Sequence, residues 1–166
     1  NLNLTEGTDY PGKVLCEAGG VILNVASHIA CRGVEKKEIL LFSSLGSDPE
    51  AKRIKEQLKS INISLKYLID FDGPSDKFVG IERDDGTIFS AISDFKCTKN
   101  GESKLIQNVL ENKFITNSKS EKIFILDGNL SEKAIIKLLD EPNFFRTSFN
   151  LISVSSTKSE KLKKIL

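Results

Sequence analysis

Short apolar runs of strand length alternate with helical stripes of apolar residues, and this alternation constrains the fold more than any other feature. The continuous run Ile39–Phe42 is typical of a strand buried on both faces, Ile123–Leu126 predicts a buried strand, and Leu151–Val154 predicts another strand. Around them, apolar residues recur at helical spacing. The stripes are Ile22, Val25, Ala26 and Ile29; Ala51, Ile54, Leu58 and Ile61; Leu105, Ile106, Val109 and Leu110; Ala134, Ile135, Leu138 and Leu139; and Leu162, Ile165 and Leu166. The alternation predicts an α/β fold, a mostly parallel sheet with crossover helices.

The middle of the chain has a different pattern. Three short strand-like runs, Leu65–Phe71, Lys77–Glu82 and Thr87–Ile92, are separated by turns at Asp72-Gly73-Pro74 and Asp84-Asp85-Gly86. They predict an antiparallel meander, inserted at about residues 64–94, that projects from the parallel sheet.

Local signals mark where several helices begin or end. Asp48 before Pro49 predicts a capped helix start, because Asp is a favoured N-cap and Pro fits the first turn. A further helix is expected to begin near Ser131 and another at Ser159. Gly33 is placed to end the first helix.

Composition excludes several classes of function. The 166 residues carry 24 Lys+Arg and 23 Asp+Glu, a net charge of +1, which gives no electrostatic basis for binding nucleic acid or an anionic membrane. No apolar run is long enough to span a bilayer, and no secretion signal is recognisable. Cys16, Cys31 and Cys97 have no metal-binding spacing and predict a reducing, cytoplasmic location. The single histidine, His28, excludes catalysis by several histidines, and no metal ligands are predicted.

The first candidate site is the glycine pair Gly19-Gly20, directly before a helical stripe. Two glycines let a ligand approach the backbone closely, and Asn24 lies in the following first turn. Because an amide can both donate to and accept from a hydroxyl, the combination suits a sugar or another polyol. No Lys or Ser/Thr follows as in a P-loop, and the third glycine of a dinucleotide fingerprint is missing. The alternative is a tight loop with an incidental Asn.

Two more segments follow predicted strands. Asp127 and Asn129 come directly after a buried strand, at the strand end where α/β sheets bind ligands. Alternatively, one of them only caps the next helix. Ser93 and Asp94 end the last run of the meander, which could close over a ligand as a flap. The alternative there is a solvated strand end.

The stretch Gly19-Gly20-Val21-x-x-Asn24-Val25-Ala26 resembles the first signature of the ribokinase (PfkB) family of sugar and nucleoside kinases. Ser43–Asp48 is similar to that family's glycine–aspartate turn, and Ile61–Ser64 to its step into the lid. The lid itself is matched by Phe78–Glu82 and then Asp84-Asp85-Gly86. Order and spacing agree over nearly the whole chain. The resemblance implies a ribokinase-like fold with a small antiparallel β lid.

Within the family, the chain resembles pseudouridine kinases most. The stretches that carry this likeness are Pro11–Val14, Ser93-Asp94, Asp127–Leu130 and Ser153–Lys158, the last with a proline replaced. Ribokinases proper usually carry Gly-Lys-Gly-Ala where this chain has Val21-Ile22-Leu23, which argues against ribose as substrate.

The resemblance implies that ATP, with Mg²⁺, phosphorylates a sugar or nucleoside hydroxyl, the 5′-hydroxyl of pseudouridine being the first candidate. One alternative is a kinase of the same family that acts on ribose, adenosine or a fructose phosphate. Another is a non-catalytic sugar- or nucleoside-binding module. A homodimer through the lid is a further implied assembly.

The resemblance also implies roles for individual residues. Gly19, Gly20 and Asn24 match positions that bind ribose hydroxyls, and Asn129 matches another sugar-contacting position. Four weaker candidates for substrate contacts are Lys13, Phe78, Ser93 and Asp94.

Two parts of the family pattern are missing from residues 1–166. One is the first strand with its sugar-binding Asp, expected just before Asn1. The other is the second signature, Asp-Thr-x-Gly-Ala-Gly-Asp, which supplies the anion hole and the catalytic base beside the ATP site. The chain also contains no Met. We therefore expect the N-terminal half of a kinase domain, part of a longer polypeptide and inactive alone, with the catalytic residues unassigned.

Overall fold

A computed structural model of the chain describes residues 7–32, 39–117, 119–144, 146–153, 155–163 and 165. Helices and strands alternate along these residues except in the middle, where three strands and then two helices follow one another. The elements are α1 (Val21–Cys31), β1 (Ser43–Leu45), α2 (Pro49–Ser60), β2 (Leu68–Asp70), β3 (Lys77–Glu82), β4 (Ile88–Asp94), α3 (Lys96–Leu110), α4 (Lys113–Thr116), β5 (Lys122–Asp127), α5 (Glu132–Leu139), β6 (Thr147–Ile152) and α6 (Ser156–Lys163). The predicted end of α1 at Gly33 and the predicted strand residue Val154 lie outside the described residues.

The strands form two parallel pairs and one antiparallel pair. β1 pairs with β2 and β5 with β6, both in parallel, and one helix lies between the strands of each pair, α2 in the first and α5 in the second. Parallel neighbours need such a crossover, so the chain contains two β–α–β units. β3 and β4 form an antiparallel hairpin, which we call the lid hairpin. The predicted α/β fold with a small antiparallel lid is confirmed.

The predicted meander is wrong in its first strand. Leu68–Asp70 pairs in parallel with β1 instead of joining the lid hairpin, which begins only at Lys77. Burial explains the difference, because Ile69 is 4% exposed and packs in the main core. The Phe71 amide also donates to the Leu45 carbonyl at 2.8 Å, which continues the pairing past the strand end.

The apolar run Ile39–Phe42 is buried between two layers, as predicted, but the paired strand begins after it. Leu40 and Phe42 pack against one core cluster, whereas Leu41 is buried in the other. Side chains that point alternately into two clusters are typical of an extended segment covered on both sides. The pairing with β2 starts at Ser43, so the predicted strand was placed four residues too early.

The core consists of two apolar clusters on opposite sides of the parallel strands. On one side, Leu23 of α1 and Leu58 of α2 pack with Leu41. The other cluster takes its buried side chains mainly from α3, α5 and β5. Its members are Ile69, Leu105, Ile106, Val109, Ile115, Leu126, Leu130, Ala134, Ile135, Leu138, Phe144 and Leu162. Helices therefore cover both sides of the parallel strands, as in other α/β folds.

Two of the predicted helix starts have the expected capping contacts. The Ala51 amide donates to Asp48 Oδ1 at 3.0 Å, and Pro49 is the first residue of α2. The Ala134 amide donates to Ser131 Oγ at 3.2 Å at the start of α5. The last helix, α6, begins at Ser156 instead of Ser159. Across the described residues, no helix is both long and apolar enough to cross a membrane.

Candidate functional site

The glycine pair forms the N-terminus of α1. Gly20 is the N-cap, with φ +109° and ψ 139°, and no side chain caps this end of the helix. The Asn24 amide donates to the Gly20 carbonyl at 3.0 Å, which starts the helical hydrogen-bond ladder. The Asn24 side chain is exposed one turn above the pair. First-turn amides and an exposed carboxamide therefore stand side by side, a set of groups that can hydrogen-bond to hydroxyls.

The surroundings of these glycines differ from those of Gly46 and Gly128, although Gly7 and Gly12 also have open space beside them. A Cβ added to Gly19 or Gly20 would meet no atom within 4 Å, although the φ of Gly20 itself favours glycine. A Cβ on Gly46 would overlap the backbone of Ser75, and one on Gly128 would lie 2.9 Å from the Ile152 carbonyl oxygen. Packing therefore accounts for the latter two glycines, while the space beside Gly19-Gly20 is open to a ligand.

A small cavity of about 60 Å³ borders Gly19. Its lining is apolar except for one hydroxyl, and consists of Gly19, Ile22, Leu23, Leu41, Ser43, Leu45, Ile54, Leu58 and Leu68. Such a lining offers a polyol few hydrogen-bond partners. The exposed side of the glycine pair is thus the better candidate for a sugar.

The second candidate segment is a tight turn at the end of β5. The Asn129 amide donates to Asp127 Oδ1 at 2.8 Å, and the Leu130 amide donates to the Asp127 carbonyl at 3.1 Å. The Gly128 amide donates to the Ile152 carbonyl at 2.8 Å, which ties the turn to β6. Ser131 is the N-cap of α5, so neither Asp127 nor Asn129 has the capping role considered as an alternative. Asn129 is half-buried, and α1 lies in contact with β5.

The lid hairpin carries three of the weaker candidates. Phe78 lies directly opposite Ser93, and Lys77 lies opposite Asp94. Paired residues of neighbouring strands share a face, so Phe78 and Ser93 lie side by side. All residues of both strands are exposed, and Asp94 Oδ2 is 3.5 Å from the Lys96 ammonium.

Lys13 lies in the exposed, irregular segment before α1. The structure thus groups the sequence-predicted residues in three places: the start of α1, the end of β5 and the lid hairpin. His28, which sequence reasoning left as structural or exposed, is exposed on α1.

A hydrogen-bonded cluster at the foot of the lid hairpin was missed by sequence reasoning. The Ser75 hydroxyl donates to Asp48 Oδ1 at 2.7 Å, and the Ser75 amide donates to Asp48 Oδ2 at 2.8 Å. The Gly46 amide donates to Ser75 Oγ at 3.0 Å, and Ser75 is 6% exposed. The capping signal at Asp48 was visible in the sequence, but its partner across the fold carried no signal.

The Asp48 carboxylate is stabilised in its charged form by this cluster. Desolvation by burial raises the pKa of Asp48, but hydrogen bonds from the Ser75 hydroxyl, the Ser75 amide and the Ala51 amide outweigh it and lower the pKa below its ordinary value. The charge of Lys77 acts in the same direction.

Asp76 ties the same foot of the lid hairpin to α3. Its carboxylate accepts from the Cys97 amide at 2.8 Å and from the Thr98 amide at 3.1 Å. Burial raises the pKa of the Cys97 thiol to about 11, with smaller contributions from the charges of Asp76 and Asp48. Cys97 is 1% exposed and therefore a structural thiol.

The described residues do not form a metal centre. Among them, no three His, Cys, Asp or Glu side chains cluster closely enough to hold a metal ion. A Mg²⁺ ion that serves phosphoryl transfer needs carboxylate and phosphate oxygens around it.

These elements, with their crossover helices and projecting hairpin, define a ribokinase-like fold. A candidate sugar kinase from Clostridium perfringens is similar with a TM-score of 0.70 and 25% identity, over 97% of this chain and 48% of that chain. A carbohydrate kinase from Agrobacterium tumefaciens is similar with a TM-score of 0.67 and 19% identity, over 98% of this chain and 51% of that chain. Ribokinase from Giardia lamblia is similar with a TM-score of 0.65 and 12% identity, over 92% and 46%.

The structural neighbours are thus sugar and carbohydrate kinases, and the chain spans about half the length of each. No protein-family model matches the chain, and no curated protein sequence matches it either.

Proposed function

We propose that this chain supplies the acceptor-binding part of a ribokinase-type kinase, which transfers the γ-phosphate of ATP to a sugar or nucleoside hydroxyl. One observation carries the proposal: two glycines with open space beside them cap α1, directly below the exposed Asn24. The structural likeness to sugar and carbohydrate kinases supports the same activity.

Each candidate residue has a role in this proposal. Gly19 and Gly20 let the ligand's hydroxyls reach the first-turn amides of α1, while the Asn24 carboxamide donates to and accepts from them. Asn129 contributes a further hydroxyl contact from the end of β5. The lid hairpin covers the bound acceptor and excludes water, with Phe78 against the ring of the ligand.

The weaker candidates lie around this arrangement. Ser93 and Asp94 end β4 beside Phe78 and offer polar groups to the base or sugar. Lys13 precedes the glycine pair in an exposed segment and is proposed as a contact at the rim. Holding the acceptor in a reactive orientation lowers the barrier by several kcal/mol in well-aligned cases.

Pseudouridine is the acceptor we propose first. The support is the likeness of Pro11–Val14, Asp127–Leu130 and Ser93-Asp94 to pseudouridine kinases, together with Val21–Leu23 in place of the ribokinase Gly-Lys-Gly-Ala. A phosphorylation panel with the complete encoded protein should favour pseudouridine over ribose, adenosine and fructose phosphates. A tenfold preference for one of those other acceptors would overturn the substrate assignment while leaving the kinase class standing.

ATP and Mg²⁺ are proposed to bind outside residues 1–166, because no stretch of these residues matches the family's second signature, which lies beside the ATP site. Bound Mg·ATP would supply the phosphoryl group and offset its charge. General-base catalysis contributes about 10²–10⁴-fold, and no residue here matches the family's base. Incubation of the 166-residue chain with Mg·ATP and pseudouridine should therefore yield no 5′-phosphate. Multiple turnovers would show that the catalytic base lies within this chain.

A non-catalytic sugar- or nucleoside-binding module is the second candidate function. The sequence of the complete gene separates the two, because a downstream Gly-Ala-Gly-Asp stretch indicates a kinase and its absence indicates a binding module. A homodimer through the lid hairpin is a further proposal, supported by the exposed Val79, Ile81 and Ile92. A cytoplasmic location is supported by the three free cysteines.

The role of Asn24 is tested by Asn24→Ala in the complete protein. We expect KM for the acceptor to rise by about tenfold or more. The variant loses one hydrogen bond that the Asn24 carboxamide donates and one that it accepts, each worth ~1 kcal/mol. The melting temperature should change little because the side chain is exposed. Asn108→Ala, on the exposed face of α3, is the matched control and should leave KM unchanged. A large loss of stability without a change in KM would mean that Asn24 is structural.

A further inference from the structure

The turn that presents Asn129 is held from a second element. The Ser131 amide donates to Glu102 Oε1 at 2.6 Å, and the Ser131 hydroxyl donates to Glu102 Oε2 at 2.6 Å. Glu102 lies on α3, far from the turn in sequence. Both carboxylate oxygens are therefore occupied by one residue, and charge-assisted hydrogen bonds of this length are among the stronger ones in proteins.

Close packing of α3 on β1 fixes the backbone from which Glu102 reaches the turn. A Cβ on the neighbouring Gly101 would overlap the hydroxyl of Ser44, and Gly101 is fully packed between helix and strand. α3 also contacts α5 directly. The Glu102 side chain thus starts from a helix backbone that is held in place by packing.

We infer that Glu102 is a positioning residue for Asn129, and this inference rests on the proposed function. The turn is anchored at its start by Asp127, whose carboxylate accepts from the Asn129 amide, and at its end by Glu102. The middle of the turn is held to β6 by the hydrogen bond from the Gly128 amide to the Ile152 carbonyl. Removing the Glu102 contact loosens the end of the turn that follows Asn129 and shifts a group that contacts the acceptor.

Helix capping alone does not require Glu102. Ser131 already caps α5, because its Oγ accepts from the Ala134 amide at 3.2 Å. A serine N-cap functions without an added carboxylate. Glu102 instead restrains the N-cap residue itself, through the Ser131 amide that precedes the helix. A purely structural carboxylate would affect stability, whereas a positioning carboxylate affects acceptor binding through Asn129.

The first test compares Glu102→Ala with Glu111→Ala in the complete protein. Glu111, the C-cap residue of α3, is the matched control, since it also accepts a side-chain hydrogen bond, from Gln107 at 2.8 Å, but away from the turn. We expect the ¹⁵N order parameter of the Asn129 amide to fall from about 0.85 towards 0.6 in Glu102→Ala only. An unchanged Asn129 amide in Glu102→Ala would overturn the inference.

The second test is a double-mutant cycle on KM for the acceptor. Glu102→Ala should raise KM about three- to tenfold with kcat nearly unchanged, and Glu102→Gln, which keeps one acceptor oxygen, should raise it less. In an Asn129→Ala background the effect of Glu102→Ala should fall below about twofold, because the two residues act as one unit.

The outcomes separate two failures. If Asn129→Ala raises KM but Glu102→Ala adds its full effect on top, Glu102 does not act through Asn129 and the inference is wrong. If Asn129→Ala leaves acceptor binding unchanged, the proposed role of Asn129 in the function fails, and the inference fails with it.

Discussion

The parallel strand pairs and the lid hairpin contain similar apolar residues in opposite surroundings. In β5, Leu126 is 7% exposed because core residues of α3 and α5 pack with it, whereas Ile123, near the start of the strand, is 66% exposed, so the predicted buried run is buried only in its second half. In the lid hairpin, Ile92 is 73% exposed and Val79 is 61% exposed, and every residue of β3 and β4 is open to solvent in the described part of the chain. Apolar content alone therefore does not decide burial. A strand becomes core only where crossover helices cover its faces.

The difference assigns the two regions different tasks. The parallel units hold the start of α1 and the end of β5 in place, whereas the lid hairpin offers apolar surface to something outside itself. An isolated two-stranded hairpin is at best marginally stable in water, so its exposed faces gain most from a ligand or a second subunit.

The largest expected contrast is in the free energy of unfolding after truncation of an isoleucine. Ile135 is 0% exposed in the core, so Ile135→Ala should destabilise the protein by about 2–5 kcal/mol. Ile92→Ala, on the lid hairpin, should change stability by less than about 0.5 kcal/mol. Urea denaturation measures both. Equal losses of stability in the two variants would show that the lid hairpin is covered in solution, and the contrast between the two regions would not hold.

A similar contrast is expected for two glycines. Gly46→Ala forces a Cβ into the backbone of residues 73–75 and should destabilise the protein by about 1–3 kcal/mol, as overpacking does. Gly80→Ala, in β3, meets only the Phe78 ring edge at 3.3 Å, which can rotate away. The melting temperature of the Gly80→Ala variant should match that of the wild type within error. Destabilisation by Gly80→Ala as large as that by Gly46→Ala would mean that the lid hairpin is as tightly packed as its foot.

The foot of the lid hairpin should make stability depend on pH. The pKa of Asp48 in the folded protein lies below its ordinary value of 3.8. The stability that the charged carboxylate contributes is therefore fully present above pH 4 and is lost as pH falls through the folded pKa. Asp48→Asn should cost about 1–2 kcal/mol at pH 7, since charged hydrogen bonds are lost. The difference from wild type should shrink at pH 2–3. A difference that persists unchanged at low pH would contradict the assignment.

The last expected contrast concerns the reactivity of Cys97, which lies next to the lid hairpin at the start of α3. With a pKa of about 11 and 1% exposure, Cys97 should react with iodoacetamide at pH 8 at least about 100-fold more slowly than the exposed Cys16 and Cys31. Mass spectrometry resolves the three sites. Fast labelling of Cys97 would show that lid motion opens α3, so the two regions would not be mechanically separate.

Local signals in the sequence were sufficient to predict most helices and strands outside the lid hairpin. The apolar stripes predict α1, α2, α3 and α5, and the structure confirms the cap predicted at Asp48 and the helix start predicted near Ser131. The strand-like run at Leu65–Phe71 was assigned to the wrong sheet, because its partner is set by a core residue, Ile69, whose contacts are distant in sequence. A local pattern gives the type of an element but not its neighbour.

The candidate site was predictable only in its residue types. The glycine pair and Asn24 stand out because their requirements are local: an unusual backbone angle and an exposed first turn. The Asp48–Ser75 cluster and the contact between Glu102 and Ser131 join residues far apart in the chain, and no spacing rule connects them. Such contacts arise from packing of whole helices, which a single sequence does not encode in any short motif.

The two β–α–β units have equal loops to close when the chain folds. Ser43 pairs with Leu68 and Lys122 with Thr147, the same number of positions apart in each unit. Because the entropy of loop closure depends on loop length, neither unit has a head start over the other. The lid hairpin closes a far shorter loop, between Glu82 and Ile88, yet buries nothing on its own. The lid hairpin therefore closes the shortest loop but gains the least apolar burial from closing it. We expect folding to be driven by the two slower, longer closures around α2 and α5.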